Sequence, residues 1–279
     1  MLDPITETSE QIVRRSGSNL AFALAVLPKA KRRDMRVFYA FCRVIDDIAD
    51  EPGFSLEERR EGLNRWRNLV QGEEAPLAGV ELEFVDLQQR YRLDQNTILE
   101  IVEGVEMDLG PLRFETQEDL KAYCFRVASA VGLISIEIFG YKDPSTRVYA
   151  EQLGYALQWT NILRDVGEDA EEGKMFLPAQ DLERFGLNEE AILSRSPDRA
   201  KFERLMKHEC SVARSFYEAA TDSLPKTDRK AMRSAELMRR IYSGILDEME
   251  SDRFHVFEKR YRLPKSRMFC EFLRAKFLG

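Results

Sequence analysis

Histidine and cysteine are scarce in this 279-residue chain, with only His208 and His255 of the first and Cys42, Cys124, Cys210 and Cys270 of the second. No Cys-x-x-Cys pair occurs, so neither a disulfide framework nor a Cys/His zinc module is expected, and the thiols suit a reducing, cytoplasmic setting. Nucleophilic Ser-His-Asp catalysis has little to draw on. Fifteen Gly and ten Pro are too few for a collagen-like or low-complexity chain. No Pro/Ser/Gly-rich linker divides the sequence, so one domain over 1–279 is expected. Neither G-x-x-x-x-G-K-[ST] nor G-x-G-x-x-G is present, which leaves P-loop and Rossmann chemistry without support. No apolar run approaches ~18 residues, since 20–27 is short and 128–141 is interrupted by Ser135 and Glu137. The start of the chain, with Asp3, Glu7 and Glu10, lacks the basic opening of a signal peptide. A net charge of −7 argues against nucleic acid as a partner.

What the sequence does have is 44% hydrophobic and 33% charged residues, enough apolar surface for a core. Apolar residues recur with helical period, as in Leu237, Met238, Ile241, Ile245 and Met249. Breakers at Pro28, Pro52-Gly53, Pro76, Gly110-Pro111, Pro144, Pro178, Gly186, Pro197, Pro225 and Pro264 divide the chain into segments of helical length. The expected class is all-α.

Two of these helices carry a polar stripe. Tyr39, Arg43, Asp46 and Asp50 stand at i, i+4, i+7 and i+11, within about 60° of one another at ~100° per residue. Gln158, Asn161, Asp165 and Asp169 form a second stripe about 80° wide. Each is embedded in apolar residues, Val37, Phe41, Val44 and Ile48 in the first, Trp159, Ile162, Leu163 and Val166 in the second. Carboxylates one turn apart repel each other, and in such surroundings they need a counter-charge. Oxygen donors without His or Cys suit a hard cation such as Mg²⁺, shared with substrate phosphates, and the interleaved Arg43 and Arg164 suit the same phosphates. The plain alternative is a helical interaction protein whose stripes are solvated surface charge.

These stripes, with Ser16-Gly-Ser18, Leu27-Pro28, the run 123–132, Phe176-Leu-Pro178, Tyr242 and Arg260-Tyr-Arg-Leu263, resemble the squalene/phytoene synthase family of head-to-head prenyltransferases over almost the whole chain. The second stripe, Asn161-x-x-x-Asp165-x-x-x-Asp169, differs from the D-D-x-x-D of chain-elongating prenyltransferases and from the N-x-x-x-[ST]-x-x-x-E of class I terpene cyclases. The resemblance implies a single helical bundle of the class I isoprenoid synthase type around a central channel, acting on farnesyl diphosphate with Mg²⁺. It implies Asp46, Asp50, Asn161, Asp165 and Asp169 as metal ligands. Ser16, Ser18, Arg43, Gln158, Arg164 and Arg260 would contact diphosphate, and Tyr39, Tyr123 and Tyr242 would stand near the reacting centre. Phe125 and Phe176 occupy positions where many relatives have Tyr. The small residues Ala128-Ser-Ala-Val-Gly132 serve either close helix packing or room for a prenyl chain.

Ser16-Gly-Ser18, the stretch 46–51 and Gly104-Val-Glu-Met-Asp108 look most like bacterial presqualene diphosphate synthases of the hopanoid route. Phytoene, dehydrosqualene and NADPH-dependent squalene synthases are the alternatives within the family. After residue 252 the charge reverses, with Arg253, Lys259, Arg260, Arg262, Lys265, Arg267, Arg274 and Lys276 against Glu258 and Glu271. That segment is a candidate for peripheral contact with the inner face of a membrane.

Overall fold

The computed structural model describes residues 6–16, 23–51 and 53–277, and among them every regular element is helical. In chain order these are α1 (Ser9–Ser16), α2 (Lys29–Asp50), α3 (Leu56–Gln71), α4 (Gly79–Tyr91), α5 (Gln95–Met107), α6 (Gln117–Cys124), α7 (Ala130–Phe139), α8 (Ser145–Glu171), α9 (Ala179–Arg184), α10 (Glu189–Leu193), α11 (Arg199–Ser223), α12 (Arg233–Ser251) and α13 (Lys265–Phe277). Pro28, Pro144, Pro178 and Pro264 each stand immediately before a first helical residue, where the missing N–H costs nothing. The breakers thus mark helix starts as often as ends. α2 stops at Asp50 because Glu51, followed by Pro52, is extended (ψ 112°).

Two apolar clusters share one partition. Phe38, Phe41, Ile45, Trp66, Phe84 and Ile101 fill the first, between α2 and α3–α5. Tyr149, Trp159, Leu163, Met206, Leu237 and Ile245 fill the second, where α8 packs most extensively on α11. α7 lies between them, giving Ala130, Ile134 and Ile138 to the first and Leu133 and Ile136 to the second. Burial on both sides explains why this region is apolar all round. By length and composition alone, 117–139 would be long and apolar enough to cross a membrane.

α6 runs into α7 through one wide turn, Phe125–Ser129, in which Ala130 N–H bonds to Phe125 C=O, five residues back. Turns of this kind relieve strain from a locally inserted residue and re-aim side chains. The small residues here serve packing. Ser129 Oγ donates to Glu151 C=O at 2.8 Å, a Cβ on Gly132 would lie 2.9 Å from Ala150 C=O, and one on Gly154 would meet the Ser129 backbone.

Candidate active site

The polar stripes of α2 and α8 border one acidic cleft, where Asp50 of the first and Asp169 of the second both act on Lys174. Asp46 and Asp50 on α2 are open to water, whereas Asn161, Arg164, Asp165 and Asp169 on α8 are half-buried. Although open, Asp46 is walled by protein on most sides. Desolvation, first, and then Asp50, Asp108 and Asp47 push its carboxyl up to about 7, against the opposing pull of Arg43. Asp169 is likewise pushed up to about 7 by desolvation and then by Asp165, with Lys174 opposing. These are the properties of a concave anionic site short of cations.

Two residues outside the stripes join the halves. Asp108, just past the end of α5, accepts a hydrogen bond from the Tyr123 hydroxyl at 3.0 Å. Desolvation raises its carboxyl to about 6, with Asp50 adding to the effect and Tyr123 and Lys174 opposing it. Lys174 follows Gly173, whose left-handed φ of +71° reverses the chain after α8. The turn closes with Lys174 N–H on Asp169 C=O at 2.8 Å, which brings the ammonium back over the stripe. Hydrogen bonding to Glu172 raises its pKa first, and the fields of both Asp50 and Asp169 add to that. One cation between a carboxylate of each stripe is the electrostatic sign that they face one another. Tyr123 is buried, its phenol raised by desolvation and then by Asp108, and its ring packs with Phe114 and Phe176 at centroid distances of 5.3 and 5.7 Å.

The arginines are already engaged. Arg43 pairs with Asp47 at 2.5 Å, and Arg15 pairs with the same carboxylate at 3.2 Å, so Asp47 points along α1 rather than into the acidic group. Arg164 forks onto Asp165 at 2.8 and 2.5 Å, Arg260 reaches Asp165 at 3.2 Å and Glu168 at 3.0 Å, and the Arg164 guanidinium lies 6.0 Å from the Tyr242 ring centroid. Tyr39 is half-buried on the α2 stripe. Ser18 and the side chain of Ser16 lie outside the described residues.

Arg260 is carried by a segment clamped to α8 and α11. Arg253 and Phe254 both adopt left-handed φ, 56° and 59°. Arg199 donates to Phe254 C=O at 3.0 Å, Arg195 donates to Phe257 C=O, and Tyr261 OH donates to Asp252 at 2.6 Å. Gly167 on α8 permits the approach, because a Cβ there would overlap Val256 C=O and lie 3.0 Å from Phe257 Cα.

A divalent ion fits the donor set. Asn161 donates from Nδ2 to Gln158 at 3.3 Å, yet its Oδ1 is buried without a hydrogen-bond partner, an acceptor left free between Gln158 and Asp165 on one face. An unmatched amide oxygen beside carboxylates of raised pKa is what a hard cation would complete.

The family model described as squalene/phytoene synthase matches residues 13–267. The chain belongs to the squalene/phytoene synthase family. Among curated members, it is 33% identical to a 15-cis-phytoene synthase of Synechocystis, over 92% of this chain and 80% of that one. It is 32% identical to the presqualene diphosphate synthase of Zymomonas mobilis, over 97% and 93%. Among solved squalene/phytoene synthase folds, a dehydrosqualene synthase superposes with a TM-score of 0.82 at 24% identity, covering 96% of this chain and 94% of the other. A squalene synthase from Alicyclobacillus acidocaldarius gives 0.77 at 25%, covering 88% and 94%. The all-helical class and the family expected from the motifs both hold.

Asp108 and Lys174 are the cleft residues that sequence reasoning does not single out as functional. Asp108 belongs to neither stripe, and Lys174 lies beyond a helix end, in a turn whose direction depends on Gly173. A glycine four residues past the end of an acidic stripe, followed by Lys, is the one local signal.

Proposed function

We propose that this prenyltransferase-family chain joins two farnesyl diphosphates head to head, giving presqualene diphosphate and free diphosphate for squalene and hopanoid synthesis. The observation that carries the diphosphate chemistry is the facing pair of stripes, with raised carboxyls on both sides and the unmatched Asn161 Oδ1 in the second. Asp46, Asp50, Asn161, Asp165 and Asp169 would hold Mg²⁺. When bound, the ion would supply positive charge against the departing diphosphate.

The chain's own groups do the rest. Arg164 and Arg260, now on Asp165, and Arg43, on Asp47, can exchange carboxylate for phosphate oxygens, to which a guanidinium fork is equally matched. Gln158, beside Asn161, orients a further oxygen. Breaking the C1–O bond of the donor leaves an allylic cation, whose C1 is attacked by the double bond of the second chain. Loss of one proton then closes the cyclopropane. The Phe114–Tyr123–Phe176 group offers aromatic faces and excludes water, while Tyr123 stays a neutral phenol tethered to Asp108. Tyr39 and Tyr242 flank the stripes, the latter next to Arg164.

Support for the C15 substrate comes from the Zymomonas presqualene diphosphate synthase, matched over nearly all of both chains. The similar identity to phytoene synthases sets the competing reading. Incubation with farnesyl or geranylgeranyl diphosphate and Mg²⁺, with and without NADPH, decides between them. The expected result is presqualene diphosphate from farnesyl diphosphate, persisting with NADPH. Phytoene from the C20 substrate, or squalene appearing only with NADPH, would overturn it.

A membrane role for the C-terminal segment belongs to the same proposal, since substrate tails and products are apolar. α13 exposes Phe269 and Leu273 (56% and 38%) on one face, flanked by exposed Lys265, Arg274 and Lys276. Co-sedimentation with vesicles containing anionic lipid is expected, weakened by salt and by Phe269→Asp. Equal sedimentation of the variant would remove α13 from the contact.

A further inference from the structure

A second polar group, on α9 and α11, shares no residue with the cleft. Asp181 on α9, and His208 and Glu209 on α11, offer one ligand atom each, all within 4.8 Å of one another. Gln117, the first residue of α6, donates from Nε2 to Asp181 at 2.9 Å and stands 3.2 Å from His208 Nε2, which is itself 3.5 Å from Asp181 Oδ1. Arg184, at the exposed rim, comes within 3.4 Å of the same imidazole nitrogen.

Glu209 has no access to solvent. Its Oε2 accepts from the Trp159 indole N–H at 2.9 Å, while the buried Oε1 faces Asp181 and Gln117 without a hydrogen bond of good geometry. Leaving a carboxylate oxygen of a fully buried residue unmatched is costly, and a buried carboxylate pair needs a cation or a shared proton. The imidazole selects between hard and borderline ions. One nitrogen and two carboxylates suit Zn²⁺, whose ligands stand ~2.0–2.2 Å from the ion and so, in a tetrahedron, ~3.4 Å from each other. The His208 Nε2–Asp181 Oδ1 separation of 3.5 Å already matches that edge, and the wider separations, up to 4.8 Å, close by rotation of the carboxylates onto the ion.

We propose that Asp181, His208 and Glu209 form a three-ligand site for a divalent ion of the Zn²⁺ type, with water as the fourth ligand. The ion would tie α9 to α11 next to the start of α6. That would fix the segment between α8 and α9, which carries Lys174 and Phe176 into the cleft and is already held by Ala179 N–H on Phe114 C=O at 2.9 Å.

The test is zinc binding by the chelator-stripped full chain, read as metal retained after gel filtration and as a shift in melting temperature. The same measurements on Asp46→Asn/Asp165→Asn protein keep the cleft out of the result. The expected outcome is one tightly held Zn²⁺ per chain, with melting raised by ~5 °C at about 100 times the dissociation constant, both kept in the cleft variant. Glu209→Gln preserves the Trp159 bond and imitates a protonated carboxyl, so it is expected to fold without metal and to bind Zn²⁺ at least ~100-fold more weakly. His208→Asn should behave alike. Zinc bound equally by Glu209→Gln and His208→Asn, or none retained by the cleft variant, would overturn the site. In the second case Glu209 and Asp181 share a proton instead.

Discussion

Asp46→Asn and Asp165→Asn are each expected to lower kcat/KM with farnesyl diphosphate by about 10³-fold, a loss typical of removing one preorganised electrostatic group from a reacting centre. The two carboxylates stand on different helices, and only a shared site makes the losses comparable. Asp47→Asn, adjacent in sequence but paired with Arg43 and Arg15, should lose roughly tenfold at most, the cost of loosening an outward ion pair.

Asp46→Asn is expected to act in the opposite sense on the stability of chelated protein. Asp46 and Asp169 are held near 7 and Asp108 near 6, all above the ordinary carboxylate value, so the native chain binds more protons than the unfolded chain between pH ~4 and ~7. Stability therefore falls as pH rises through that window and levels above it. Glu209, pushed to about 8 first by burial and then by Asp181, extends the fall. Acids with lowered values, such as Asp34 and Asp94, are ionised in both states above pH ~5 and leave the slope alone. Melting curves from pH 5 to 8 in chelator should show Asp46→Asn more stable than wild type at pH 8 and less dependent on pH. A variant less stable than wild type at pH 8 would mean that Asp46 has a favourable partner in the metal-free state.

Gly167→Ala is expected to cost about 1–3 kcal/mol or more, the range for forced overpacking, and to lower the melting temperature by ~5 °C or more. The added methyl meets backbone of the segment 256–257, which cannot rotate away as a side chain could. That segment already holds two left-handed residues in place through Arg199, Arg195 and Asp252, so it has little freedom to retreat. Its displacement carries Arg260 away from Asp165 and Glu168, so kcat/KM should fall as well. Gly110→Ala is the control, since its Cβ would meet nothing closer than 3.9 Å. Equal melting of the two variants would show that the segment yields freely.

Much of this is legible in the sequence alone, for a physical reason. A stripe at i, i+4, i+7 and i+11 is set by helix geometry, so Asp46 with Asp50 and Asn161 with Asp165 and Asp169 share faces whatever the tertiary fold. What sequence could not supply is the relation between elements. Lys174 reaches Asp50 only through the Gly173 reversal, and Asp108 enters the cleft because α5 packs beside α2. Ser129 and Gly132 could equally have lined a channel, until α8 was found against them. The wide turn at Phe125–Ser129 has no marker in composition. Asp181 and Glu209 come together from separate helices, and neither helix bears a pattern that announces it.

The central claim is that α2 and α8 supply two halves of one diphosphate site. The most direct test is calorimetric titration of inorganic diphosphate into the chain, with Mg²⁺ or with chelator, for wild type, Asp46→Asn and Asp165→Asn. The account predicts binding that requires Mg²⁺ and is weakened by either substitution alone. Binding that ignores Mg²⁺, or that survives either substitution unchanged, would contradict it.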